Sequence, residues 1–146
     1  MTEHPLSASI AHLFHELRES ITFILGIHQA LDQRLPGTAQ ELWNNLGGIS
    51  EQLLIEIEDQ MGIILANIDS YSPDVVTARI YELANDWEKK AEKISLIADQ
   101  ISSLQVHLKD SNLNKILSEY MQSSVRGFGR IVSFAKQIRP EDLSLD

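Results

Sequence analysis

Five histidines, at positions 4, 12, 15, 28 and 107, are the side chains best suited to chemistry in a 146-residue chain that has no cysteine. His28 falls on an apolar stripe and reads as a core or boundary residue, His4 lies at a terminus, and His107 sits near a helix end, where it suits the dipole. His15 is different. It lies beside the apolar stripe, between Phe14 and Glu16, with Arg18 and Glu19 following. On a helix His12, His15, Glu16 and Glu19 fall within about 100 degrees of one another. A carboxylate one turn away can hold the proton of one ring nitrogen and leave the other nucleophilic. The same four side chains also offer metal ligands, although a di-iron bundle needs paired Glu-x-x-His motifs, which the chain lacks.

Long helices must position these groups. Prolines and turn residues cut the chain into four pieces. The first runs from Leu6 to Leu35, ahead of Pro36-Gly37, with apolar residues at Ile10, Phe14, Leu17, Ile21, Ile24, Leu31 and Leu35. Steps of three and four make this a coiled-coil-like seam. The second opens on Thr38-Ala39-Gln40-Glu41, a capping-box pattern, and continues through Leu46, Ile49, Leu53, Ile57, Ile64 and Ile68. Gly47-Gly48 is expected to loosen or kink it. Ser72 and Pro73 then supply an N-cap and a first helical residue. The third piece carries Val76, Ile80, Leu83, Trp87, Ile94, Ile97, Ile101, Leu104 and Leu108, and Asp110-Ser111-Asn112 breaks it. The fourth carries Leu113, Leu117, Tyr120, Phe128, Ile131, Ala135 and Ile138, and Arg139-Pro140 closes it ahead of a loose tail. The expected fold is all-α, an up-down antiparallel four-helix bundle with long helices, forming a single domain over residues 1–146. Trp43 and Trp87 are expected to be core or boundary anchors, or partner contacts. Glu56, Glu58, Asp59 and residues 88–93 read as solvated faces.

Composition narrows the function. Twelve Lys and Arg against 21 Asp and Glu give a net charge of -9, which argues against nucleic acid or an anionic membrane as partner. No apolar run is long enough for a bilayer, and Glu3 and His4 stand where a signal peptide would be basic, so a cytoplasmic location is expected.

The run His15-Glu16-Leu17-Arg18-Glu19-Ser20-Ile21-Thr22-Phe23-Ile24-Leu25-Gly26 resembles the phosphoacceptor box of the histidine-kinase dimerisation and phosphoacceptor domain, whose pattern reads roughly H-E-L-R-(T/N)-P-L-(T/S)-x-I-x-G. Ser50 to Met61 is similar to the stretch that follows the family's histidine by about 35 residues on the second helix. The resemblance spans residues 8–69. It implies that His15 carries a phosphoryl group and that Glu16 is the proton acceptor. It also implies that a receiver domain docks along Thr22, Phe23, Gly26, Ile27 and Ala30, with Arg18 and Glu19 at its edge. Two positions depart from the pattern. Glu19 stands where Thr or Asn positions a water for dephosphorylating the partner, and Ser20 replaces the helix-bending proline, so a straighter helix is expected.

The ATP-binding domain of such kinases has no counterpart here. Residues 73–139 read instead as a second helical hairpin, and no P-loop occurs. Tyr81-Glu82-Leu83 stands where His15-Glu16-Leu17 falls in a degenerate repeat, and Leu117-Ser118-Glu119 loosely matches Ile49-Ser50-Glu51. The second hairpin then either completes a pseudo-dimer, or serves as a dimer interface or regulatory arm. The expectation is a histidine phosphotransfer protein of two-component signalling that exchanges phosphate with a response-regulator receiver domain or a sensor histidine kinase, without ATP-dependent activity of its own. The chain is expected to hold no cofactor, because the magnesium ion belongs to the receiver. The alternatives are a non-catalytic adaptor or inhibitor of the same partners and, from the His and Glu side chains, a metal or haem bundle.

Overall fold

The computed structural model describes residues 5–104 and 111–143, which are helical with short turns and contain no strand. Three long helices come first: α1 (Pro5–Ala30), α2 (Gly37–Ala66) and α3 (Pro73–Ser103), with a 3-10 turn at Ile68–Ser70 between the last two. A short α4 (Ser111–Lys115) runs through a π turn (Ile116–Tyr120) into α5 (Met121–Gln137), and α6 (Pro140–Leu143) ends the described chain. His4, His107, Leu108, Asp110 and the side chain of Tyr120 lie outside the described residues.

α1 packs against α2 and α5, and α3 packs against the same two helices on their other sides. Cross-helix contacts set the directions. Arg18 meets Glu58 while His28 meets Trp43, so α1 and α2 run antiparallel. Gln122 meets Ser102 while Lys136 meets Glu88, so α3 and α5 do too. Among the described residues no helix is long and apolar enough to cross a membrane.

The core is a set of heptad-like seams. On α1 it runs Ile10, Leu13, Leu17, Ile21, Ile24 and Ile27, so Leu13 and Ile27 hold places that the spacing gave to Phe14 and His28, which are half-buried. On α2 the seam includes Trp43, Ser50 and Met61 as well as the aliphatic residues, while Ile49 is only half-buried. Ser50 is tolerated there because its hydroxyl donates to the Leu46 carbonyl at 2.8 Å. On α3, large Ile80, Trp87, Ile94 and Ile101 alternate with small Thr77, Ala84, Ala91 and Ala98. Burial of each large side chain contributes about 1.5–3 kcal/mol.

Helix ends differ from the sequence reading where local chemistry intervenes. α1 stops at Ala30, a turn before Pro36, because Gln33 adopts a left-handed backbone at φ 61°. Leu31 and Leu35 still reach the core from the turn. The capping box does not form. α2 starts at Gly37, and the Gln40 side chain instead accepts from the Leu35 N–H at 3.3 Å. α2 is also unbroken through Gly47-Gly48, and α1 is unbroken through Ser20. Ser72 caps α3, its hydroxyl accepting from the Val75 N–H at 3.3 Å, with Pro73 in the first turn. Leu104 is exposed beyond the last residue of α3.

The π turn corrects the register of the last long helix. The buried seam of α5 is Met121, Val125, Phe128, Val132 and Ala135. Carried back at α-helical spacing it meets Ser118 and Asn114, whereas the apolar residues are Leu113, Ile116 and Leu117. A π turn inserts one residue and brings the two stripes into phase. The tail is also less loose than expected: Leu143 is buried, and the Arg139 N–H donates to Asp142 at 2.9 Å.

Candidate functional site

His15 stands on the outward face of α1, roughly opposite the buried seam and not beside it as the spacing suggests, with its side chain 67 % exposed. Its Nε2 lies 3.0 Å from a carboxylate oxygen of Glu19. If a neutral His15 donates its Nε2–H to this carboxylate, its lone pair is left on Nδ1. The carboxylate that meets His15 is therefore Glu19 and not Glu16. Glu16 turns toward His12, 3.9 Å away, on the side of α1 that faces α5. The four side chains thus sort into two i,i+4 pairs. Among the described residues no group of three or more His, Asp or Glu stands where it would hold a metal ion.

Arg18 points the other way. Its Nε lies 3.3 Å from Glu58 of α2, which removes it from the neighbourhood of His15. Glu58 is accordingly part of an inter-helix pair. So is Glu56, which accepts from the Trp87 indole at 3.2 Å and from Lys90 at 2.6 Å, where the charge pattern had suggested a solvated face.

Immediately after His15, Glu19, Thr22, Phe23, Gly26, Ile27 and Ala30 of α1 line one groove of about 530 Å3, closed on its far side by Ile116 from the π turn. Phe23 is 56 % exposed. Ile27 differs from the other lining residues: it is a core residue, 7 % exposed, and forms floor rather than rim. Phe23 also borders an adjoining cleft with Glu16, Ser20, Ser124 and Gly127. A third cavity, of about 430 Å3, lies one turn further toward the N-terminus, between His12, Glu16 and the Arg130–Phe134 stretch, with Leu143 beneath. Together these openings follow the line where α1 meets α5.

The glycines at the groove have no internal explanation. Among the described residues a Cβ at Gly26 or at Gly127 would meet nothing within 4 Å, although Gly within a helix costs about 1 kcal/mol relative to Ala. Gly47 is the opposite case. A Cβ there would overlap the His28 ring, which stacks on Trp43 with centroids 5.2 Å apart. The Trp43 indole donates to the His28 carbonyl at 3.0 Å, and His28 Nε2 lies 3.0 Å from the Trp43 carbonyl. His28 and Trp43 therefore latch α1 to α2, and both Trp43 and Trp87 are buried anchors.

Sequence reasoning missed Ile116, Ser124 and Gly127. Their place on the groove depends on the pairing of α1 with α5 and on the phase set by the π turn. The one available signal was the mismatch between the apolar stripes before and after residue 120. No protein-family model, no curated protein and no solved structure matches the chain.

Proposed function

We propose that the chain is a histidine phosphotransfer protein of two-component signalling, built as an up-down antiparallel four-helix bundle. In this reading His15 exchanges a phosphoryl group with a response-regulator receiver domain that docks along Thr22, Phe23, Gly26 and Ala30. The observation that carries the reading is an accessible, carboxylate-paired imidazole on an outward helix face, one turn ahead of an apolar groove with an exposed aromatic residue. The resemblance of residues 15–26 to the phosphoacceptor box supports the same assignment.

The chemistry needs little from the chain. The P–O bond of the receiver's acyl phosphate breaks, an N–P bond forms on the imidazole, and the receiver's aspartate regains its carboxylate. Attack by Nδ1 leaves the Nε2 proton to Glu19. The exposed site admits an in-line approach, and the partner supplies the charge stabilisation that phosphoryl transfer requires.

One observation favours a second reading, in which the bundle binds the receiver or sensor kinase without accepting phosphate. Glu16 and Glu19 flank His15, and Arg18 is held by Glu58, so a phosphoryl group would meet negative charge from this chain. A single experiment separates the two. Incubation with phosphorylated receiver or active kinase is expected to leave an acid-labile, base-stable phosphate that disappears in His15→Gln. Receiver binding without any label, unchanged in His15→Gln, establishes the adaptor instead.

A further inference from the structure

The charges are segregated between two helices that are not main packing partners of each other. α2 carries Glu41, Glu51, Glu56, Glu58 and Asp59 and has no Lys or Arg. α5 carries Arg126, Arg130 and Lys136 and has no Asp or Glu. Each is packed between α1 and α3, so the acidic and basic helices lie on opposite sides of the molecule.

Part of this charge is used internally: Glu56 pairs with Lys90, Glu58 with Arg18, and Lys136 with Glu88. The remainder is exposed and arranged in stripes. Glu51, Ile55 and Asp59 follow one another at i,i+4 spacing on α2, with Ile55 54 % exposed between the two carboxylates. Arg126, Arg130 and Phe134 do the same on α5, where Phe134 is 62 % exposed. Glu88 and Glu92 border the cleft beside this stripe, but neither Arg126 nor Arg130 makes an ion pair among the described residues.

We propose that the α5 stripe docks onto the α2 stripe of a second copy of this chain. The two surfaces match in charge and in their exposed apolar residue. Placing Phe134 on Ile55 in antiparallel register brings Arg130 to Asp59, because both pairs are four residues apart, while Arg126 and Glu51 contribute to the opposite fields of the two faces without pairing directly. The basic stripe is also the place where a chain of net charge -9 meets a like-charged copy without repulsion. Because the two faces are different and lie on opposite sides, the contact is heterologous. Every assembly keeps one free face of each kind at its two ends, so association grows into open, head-to-tail oligomers rather than stopping at a two-fold dimer. The inference does not depend on phosphorylation of His15.

Sedimentation velocity over a concentration series tests it. The full chain is expected to sediment faster as concentration rises in low salt, and to return to monomer at about 0.5 M salt, where the Debye length falls below about 5 Å. The variants R126E/R130E and E51K/D59K are each expected to stay monomeric. Mixed in equal amounts they are expected to associate again, because each then offers the other complementary faces. Phe134→Ser, which leaves the charge unaltered, is expected to weaken association at least tenfold. A full chain that remains monomeric in low salt overturns the proposal, as does association that survives both charge reversals or a mixture that stays monomeric.

Discussion

Toward α2, helix α1 is fastened: His28 stacks on Trp43, the two exchange hydrogen-bond contacts with each other's carbonyls, and Arg18 pairs with Glu58 further along. Toward α5 the same helix leaves a line of clefts, with Phe23 exposed between them. Glycine marks both flanks for opposite reasons. Gly47 is needed because the His28 ring fills the space of its missing side chain, whereas Gly26 and Gly127 border space that no described residue occupies. One flank holds the hairpin together, and the other keeps helical glycines that internal packing does not require.

Substitutions that break this contrast are ordered by expected size. Trp43→Ala should be the most damaging, at about 3–5 kcal/mol, because it empties a fully buried site and removes the latch. Urea denaturation measures it, and a loss below 1 kcal/mol would show that the latch is dispensable. Gly47→Ala should cost about 1–3 kcal/mol through overlap with His28. Adding His28→Ala should recover part of that loss, and the double-mutant cycle reports the coupling directly. On the open flank the sign reverses. Gly26→Ala and Gly127→Ala should each raise stability by about 1 kcal/mol, since the added methyl meets no neighbour. Any receiver binding should weaken at the same time, and a destabilised Gly127→Ala would mean that the cleft is narrower than described.

The smallest expected effect lies on α3 and α5. Lys136 donates to Glu88 and sits over the Tyr81 ring, and the Glu88 hydrogen bond raises its pKa above the ordinary lysine value of 10.5. A raised folded-state value stabilises the fold fully below the unfolded pKa and loses that contribution as pH climbs through the folded one. The stability difference between the full chain and Lys136→Met should therefore be flat near neutrality and shrink only above pH 10.5.

Much of the architecture could be read directly from the spacing of apolar residues. The α1 seam is visible in the steps from Ile10 to Ile24, and Ser72-Pro73 announces the start of α3. What escaped depends on contacts distant in sequence or on backbone states that a side-chain pattern does not encode. Gln33 is not a residue that signals a left-handed turn. The use of Glu56 depends on Trp87 and Lys90, which only the packing of α2 on α3 brings near. At the candidate site, His15 and the groove residues of α1 were named from one segment. The pairing of His15 with Glu19 depends on side-chain direction within the helix, and the α5 wall depends on register.

The placement of the two tryptophans has an optical consequence. Trp43 lies in the α1–α2 interface under an imidazole, and Trp87 lies in the α2–α3 interface with its indole N–H on Glu56. The chain therefore contains one native fluorophore at each of two helix junctions and no other indole. Replacing either by phenylalanine leaves an emission spectrum that follows the opening of a single junction, so the order in which the hairpins separate is recorded without any attached dye.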